Sequence, residues 1–332
     1  MQMLLAEMKI SMGFDHIMVT GAAGFIGSHL CEALIAEGKV VTGVDDFASN
    51  YAESCKRHNL RGLEGNDRFA LVRASVGSKQ INELVHSTHP DAIIHLAATP
   101  GVRPSIDHVL EYVDNNVRGT ANLLTSAVTS GVRKIIFASS SSVYGQGLTE
   151  PSREDDPLHP LSPYAATKVS GEALCESFVA CHDISVTCLR FFTVYGPRQR
   201  PDMGIHTLAR CISRGLPFRM NGDGRSSRDY TYISDIISGI QASLKDDQRF
   251  AVYNLGSGHP IALQTMIQTV AEALGKEAQL ETIGMSGAEP TRTFADIRKA
   301  ARELGYERTV DFEEGIHRFI AWFKGMQGVE MA

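Results

Sequence analysis

Several things that would assign this 332-residue chain to a class at once are missing from it. No basic block or stripe occurs, and 32 Lys and Arg against 38 Asp and Glu leave a formal net charge of −6. The electrostatic footprint of a nucleic-acid binder is therefore absent, and no nucleic-acid partner is expected. The six cysteines, Cys31, Cys55, Cys175, Cys181, Cys188 and Cys211, form no C-x-x-C pair and have no zinc-site spacing. They read as reduced packing thiols of a cytoplasmic protein, and no metal is expected. No apolar run reaches about 18 residues, so no membrane association is expected. The opening "MQMLLAEMKISMGF" has its short apolar run broken by Glu7 and Lys9, too little for a signal sequence, and residues 1–14 read as an N-terminal extension.

What is present is enough apolar material, 43% of residues, for one large or two medium domains with a proper core. The first half alternates apolar strand-length runs with stretches of helical spacing. Strands are expected at "HIMVT" (16–20), "KVVTGVD" (39–45), "FALVRA" (69–74), "DAIIHLAA" (91–98), "KIIFAS" (134–139) and "ISVTCLR" (184–190). Apolar strands separated by helices imply a parallel sheet covered on both faces, an α/β doubly wound Rossmann fold. Long helices are expected at about 106–130 and 164–181. Beyond residue 190 the pattern loosens into Gly, Pro and Arg-rich loops, then amphipathic helices at about 262–274 and 313–324. The expected organisation is a dinucleotide-binding Rossmann domain of residues 15–190 plus about 231–261. A smaller, discontinuous α/β domain of about 191–230 plus 262–328 would cap the sheet's carboxyl edge and bind substrate.

Two motifs carry chemistry. "TGAAGFIG" sets Gly21, Gly24 and Gly27 as G-x-x-G-x-x-G between a strand and a helix, with Phe25 and Ile26 inside the motif. Such a turn brings backbone close to a pyrophosphate at the positive end of a helix. Asp45 ends the second strand, where a carboxylate accepts the ribose hydroxyls of an adenosine and repels a 2′-phosphate, which favours NAD over NADP. Asp46 beside it is the other candidate. The second motif, "SPYAATK", puts Tyr164 and Lys168 at i and i+4 on one helix face. A free tyrosine titrates near pH ~10, and bringing it to ~7 takes about 4 kcal/mol. One cation at ~4 Å supplies about that at an effective dielectric of ~20. Lys168, helped by an oxidised nicotinamide, suffices on this arithmetic.

Together with the "SSSS" run (139–142) at a strand's carboxyl end, these motifs resemble those of the extended short-chain dehydrogenase/reductase family, over nearly the whole chain from about residue 16. The resemblance implies nucleotide-diphosphate sugar chemistry with Ser140 as the triad hydroxyl, Tyr164 as the acid/base and Lys168 holding the nicotinamide ribose. "HLAA" (95–98), which contains Ala97, and "NNVRGT" (115–120) also match the family, the latter as support for the sheet. Ser141 and Ser142 stand where sugar dehydratases carry an Asp-Glu pair, and the glutamate of uronate decarboxylases is missing too. The resemblance thus implies 4-epimerisation through a 4-keto intermediate, with NAD regenerated and retained at each turnover. "RFFTVYGPRQRPDM" (190–203) and "PGVRPS" (100–105) look like the subgroup acting on UDP-glucuronate. Ser141, Ser142 and Thr193 are then expected to donate to the uronate carboxylate. Arg228, Arg200 and Arg103 are candidates for the diphosphate or substrate. Alternatives are a UDP-glucose/UDP-galactose epimerase, a dehydratase or decarboxylase with a relocated acid, and a non-catalytic dinucleotide sensor, against which the intact Ser140, Tyr164 and Lys168 set weighs. The third strand offers adenine Ser75 and Val76 in place of the family's acidic residue, and Asn221 stands where an aromatic often packs on uracil. His29 and His95 read as packing residues. A homodimer built through the helices at 106–130 and 164–181 is expected from the family likeness.

Overall fold

The computed structural model describes residues 14–147, 149–284 and 290–326, so residues 1–13 of the expected extension lie outside it. Its centre is a seven-stranded sheet of β1 (His16–Thr20), β2 (Val40–Asp45), β3 (Phe69–Arg73), β4 (Ala92–His95), β5 (Lys134–Ser140), β6 (Ser185–Phe191) and β10 (Phe250–Leu255). The order is β10-β6-β5-β4-β1-β2-β3, with every pairing parallel. The direction of winding reverses between β1 and β4. That crevice, at the strands' carboxyl ends, is where an open α/β sheet binds ligands.

Strand periodicity of two explains why both faces are apolar. In β1, Ile17 and Val19 join one core cluster with Leu30 and Leu34 of α1 (Phe25–Ala36), whereas Met18 joins the opposite one. On that opposite face Ile81 and Val85 of α2 (Lys79–Thr88), Leu123 and Leu124 of α3 (109–129), and Cys175 and Val179 of α4 (Pro163–Cys181) cover the sheet. The doubly wound fold is thus observed.

Two details differ from the sequence reading. The seventh strand, β10, "FAVYNL", is not among the expected strands; it takes the edge of the sheet beside β6. The helix expected at about 106–130 is divided instead. A single turn, Pro104–Asp107, ends at His108 (φ −123°, ψ 37°), and α3 then runs from 109 with a π-helical stretch at Val113–Arg118. A π-bulge rotates the side chains that follow it, and such bulges gather at functional sites.

The rest of the chain builds a smaller α/β body over the sheet's carboxyl edge. It contains a three-stranded sheet, β11 (Pro260–Ala262), β9 (Ser227–Tyr232) and β7 (Thr193–Tyr195), and a pair, β12 (Leu280–Ile283) with β8 (Phe218–Asn221). Against these pack α5 (Gly204–Arg214), α7 (Leu263–Leu274) and α8 (Phe312–Gly325), burying Met266, Ile267 and Val270 of α7 and Ile316, Phe319, Ile320 and Phe323 of α8 as their helical spacing predicts, while α6 (Ile233–Ser243) lies against α1 and β6 of the large sheet as well as β7 and β9. Buried Asp229 ties the bodies' loops, accepting from Ser257 N–H (2.6 Å), Gly258 N–H (3.0 Å) and Ala295 N–H (3.0 Å).

Candidate active site

The glycine turn is tighter than its motif alone requires. Gly21 adopts φ +73°, a left-handed conformation that favours glycine, and its N–H donates to Val44 O at 2.8 Å. A Cβ on Gly27 would lie 2.0 Å from Gly21 O, so α1 begins directly upon the turn. No side chain caps α1 and no acidic residue occupies its first turn, which leaves the helix's positive end to a cleft of about 520 Å³ lined by Gly21, Gly24, Phe25, Ile26 and Gly27.

Asp45 is buried at the end of β2 and lines the same cleft. Its carboxylate accepts Ala23 N–H (3.0 Å) and Phe47 N–H (2.8 Å), and Lys56 Nζ lies 3.8 Å away. Burial raises the Asp45 carboxyl above its ordinary value, against the pull of Lys56 and the two N–H groups. Asp46 also lines the cleft, with Oδ1 accepting Ala48 N–H at 2.9 Å. Across the crevice Ala97 donates its N–H to Thr20 Oγ1 at 3.2 Å. Close backbone, an open helix start and a strand-end carboxylate suit a dinucleotide's pyrophosphate and adenosine ribose. At the third strand Ala74 and Val76 line this end, but Ser75 is not among the lining residues.

The floor comes from α4 and the end of β5. Ser162 caps α4 by accepting Ala165 N–H at 3.2 Å, and Pro163 occupies its first turn. Tyr164 and Lys168 then face the cleft together, with Lys168 Nζ donating to Ala138 O at 2.7 Å and standing 5.9 Å from the Tyr164 ring centre. The Tyr112 ring meets the Tyr164 ring edge-on at 6.3 Å. Burial raises the Tyr164 phenol, while Ser140 and the Arg200 charge pull it down. The protein's own groups thus do not depress this phenol as the lysine arithmetic anticipated, because desolvation outweighs them. Burial lowers Lys168 to about 8.

Among the other candidates, Arg200 lines the cleft and holds Asp202 through Nε (3.0 Å) and a second nitrogen (2.8 Å). Ser140, Ser141 and Ser142 are half-buried at the tip of β5 and in the single 3₁₀ turn Ser141–Tyr144 that follows. Ser140 Oγ accepts Ser142 N–H at 3.2 Å, and the Ser142 hydroxyl is buried with no hydrogen-bond partner among the described residues. Thr193 and Arg228 sit in the three-stranded sheet of the smaller body, Arg228 donating to Ser227 O at 3.0 Å. Arg103 is exposed, just before the Pro104–Asp107 turn. Ser140, Ser141, Ser142, Thr193, Arg103 and Arg228 are not among the residues lining the cleft, whose edge at the end of β5 is formed by Ala138 and Ser139.

The chain from residue 17 to residue 256 matches the NAD dependent epimerase/dehydratase family. This chain belongs to that family. The family member is 39% identical, over 93% of its own length and 96% of the relative's, to the UDP-glucuronate 4-epimerase of Thermodesulfobacterium geofontis. Its fold matches that of the UDP-glucuronic acid 4-epimerase of Bacillus cereus in complex with UDP-glucuronic acid and NAD, with a TM-score of 0.90 and 38% identity over 94% of this chain and 99% of that one. A similar likeness, TM-score 0.84 and 36% identity over 94% and 100% of the two chains, holds for MoeE5 in complex with UDP-glucose and NAD.

Several residues of this epimerase-family site escaped the sequence reading. Asn116, in the π-helical stretch, clasps the strand-end loop by accepting Thr99 N–H (2.7 Å) and donating to Thr99 O (3.0 Å) and Thr167 Oγ1 (3.1 Å) of α4. Asn115 lines the cleft and donates to Thr99 Oγ1 at 2.9 Å. The doublet lies in a segment read as sheet support, and its polarity in a helix interior was the available signal. Tyr51 and Lys56, from the segment after β2, also line the cleft, with Lys56 Nζ 5.0 Å from the Tyr51 ring centre. His95 and His29 are packing residues as read. His95 bonds Thr20 (2.8 Å) and Thr120 (3.1 Å), and burial lowers it to about 3. His29 bonds Pro197 O at 3.0 Å.

Proposed function

We propose that this protein is an isomerase, an NAD-dependent 4-epimerase that interconverts UDP-glucuronate and UDP-galacturonate. The observation that carries the reading is the pairing of Tyr164 and Lys168 on the floor of a cleft whose opposite end is the glycine turn and Asp45, with Ser140 at the tip of β5 just beyond the Ala138 and Ser139 that line it. The likeness to relatives named as UDP-glucuronate 4-epimerases supports the uronate substrate. Gly21, Gly24, Phe25, Ile26, Gly27, Asp45 and Ala97 hold the dinucleotide, with Tyr164 and Lys168 at the nicotinamide ribose. Bound NAD supplies the acceptor and donor of the C4 hydride. Tyr164, assisted by the Ser140 hydroxyl, takes the proton of the C4 hydroxyl and later returns it. Lys168 holds positive charge beside the phenol, so that the proton leaves at lower cost than burial alone would allow.

The substrate's remaining contacts follow from chemistry. A uronate carboxylate losing its water needs donors, which Ser141, Ser142 and Thr193 offer; the buried, unpartnered Ser142 hydroxyl supports this role. Arg200, Arg228 and Arg103 serve the diphosphate and sugar. No carboxylate stands at 141 or 142 to eliminate water or assist loss of CO₂, which favours epimerisation over those reactions. The Rossmann lobe consists of residues 15–190 with about 231–261, and the sugar-nucleotide lobe of about 191–230 with 262–328. Exposed Ile106 in the preceding turn, with exposed Val109, Leu110 and Val113 at the start of α3, supports a homodimer through α3 and α4.

The test is incubation of the purified protein, without added cofactor, with UDP-glucuronate and separately with UDP-glucose. Conversion of UDP-glucuronate to an isomer of equal mass is the expected result. Conversion of UDP-glucose alone would move the protein to the neutral-sugar reading that the MoeE5 likeness keeps in view, and a lighter product would mean dehydration or decarboxylation.

A further inference from the structure

Beneath the floor of the cleft lies a buried ion pair to which the reaction as described gives no task. Glu172 follows Lys168 by four residues and Tyr164 by eight, so the three share one face of α4. It is buried, and so is its partner Arg190 on β6. The guanidinium grips the carboxylate with two bonds, Nε to Oε1 at 2.9 Å and a terminal nitrogen to Oε2 at 2.7 Å. The same carboxylate accepts the Ser139 hydroxyl at the end of β5, one residue before Ser140. Arg190 continues to Tyr144 Oη (2.8 Å) and Glu154 O (3.1 Å), and Tyr144 to Asn254 Oδ1 (2.7 Å), so the pair is anchored from behind.

Stability alone explains this arrangement poorly, since a buried ion pair is often no better than well-packed apolar side chains of the same volume. Its position explains more. Lys168 is held by Ala138 O and faces the Phe137 ring at 5.2 Å. The charged or titratable groups about it are Tyr164, Glu172 and Cys175 on its own helix and His95 on β4, with Arg190 behind Glu172. His95, buried between two threonine hydroxyls, stays neutral and brings no negative charge. Glu172 is the foremost of these groups in favouring the ammonium form of Lys168, against burial.

We propose that Glu172, clamped by Arg190, is a positioning residue of the reaction: it supplies the counter-charge that keeps Lys168 an ammonium beside Tyr164, and it pins the strand end that presents Ser140. The inference rests on the epimerase reading for its kinetic part, and its titration part stands without it. In the Glu172→Gln/Arg190→Gln double variant no buried charge is left orphaned. The Lys168 ammonium is followed by NMR of 13C-lysine-labelled holoprotein, its signal assigned by its loss in Lys168→Met. The expected result is a Lys168 titration moved to lower pH by about one unit. The alkaline limb of kcat for UDP-glucuronate should move with it while KM holds. An unmoved Lys168 titration in a double variant that melts near the wild type would overturn the counter-charge role and leave a structural ion pair. Wild-type protein that fails on UDP-glucuronate would sink the epimerase reading while the titration still decides this one. Should the double variant not fold, Ser139→Ala, which removes only the strand-end bond, tests the pinning role: kcat about tenfold lower with KM unchanged is expected, and an unaltered kcat rejects it.

Discussion

A single methyl group at Gly27 tests the cofactor end most sharply. Its Cβ would lie 2.0 Å from Gly21 O, 2.8 Å from Gly21 C and 2.9 Å from the Ala22 Cα. All three are backbone atoms, so no side chain can swing aside, and the start of α1 must separate from the turn by about 1.4 Å to restore ordinary contact. Overpacking of this kind costs about 1–3 kcal/mol, and rigid neighbours put this site at the upper end. Alanine returns up to about 1 kcal/mol of helix propensity, leaving a net loss of about 2 kcal/mol. At a urea slope of about 3 kcal/mol/M the unfolding midpoint should fall by about 0.7 M. The same displacement withdraws backbone from the pyrophosphate, so Gly27→Ala should also emerge from purification with little bound dinucleotide. Gly204→Ala is the internal control: no atom lies within 4 Å of its would-be Cβ, and stability should hold or rise by a few tenths of a kcal/mol. Wild-type stability and cofactor content in Gly27→Ala would refute the account of the turn.

Other consequences are as direct. Tyr164→Phe should keep its fold and its NAD while turnover falls by at least about 10²-fold, and substantial residual epimerisation would remove Tyr164 from the role of proton carrier. Thr193→Ala should weaken turnover of UDP-glucuronate more than of UDP-glucose in a side-by-side assay; equal losses would argue against a contact with the uronate carboxylate. His95 should make the protein acid-sensitive. Burial lowers it to about 3 in the fold, whereas the unfolded side chain binds a proton below about 6.5, so its share of stability erodes by about 1.4 kcal/mol per pH unit between those values. His95→Gln should flatten the pH dependence of urea unfolding in that window, and an unchanged slope would place the acid sensitivity elsewhere.

The local features of the site were legible in the chain because their physics is local. A glycine turn between strand and helix, a carboxylate about 20 residues on, and a tyrosine and lysine one helical turn apart need only short-range geometry. Strand-length runs that are apolar throughout likewise indicate strands with both faces covered, which implied the parallel sheet and hence the crevice. β10 was missed, since its place is secured by pairing with β6 and not by its own pattern. The undivided helix expected at 106–130 failed at His108, where the backbone leaves the helical region.

The sequence by itself therefore determined the fold class, the glycine cradle and the Tyr164–Lys168 face, each the product of spacing along one or two adjoining elements. Only the tertiary structure decided what surrounds that face. Glu172 meets Arg190 because α4 lies over β6. His95 meets Thr20 and Thr120 because β4 pairs with β1 beneath α3, and Asn116 reaches Thr99 and Thr167 through a π-helical stretch. Arg200 comes close enough to bear on Tyr164 through a loop 36 positions further along the chain. Such charges and hydrogen bonds depend on distances between elements far apart in sequence, and burial, which sets how strongly they act, exists only once the elements pack.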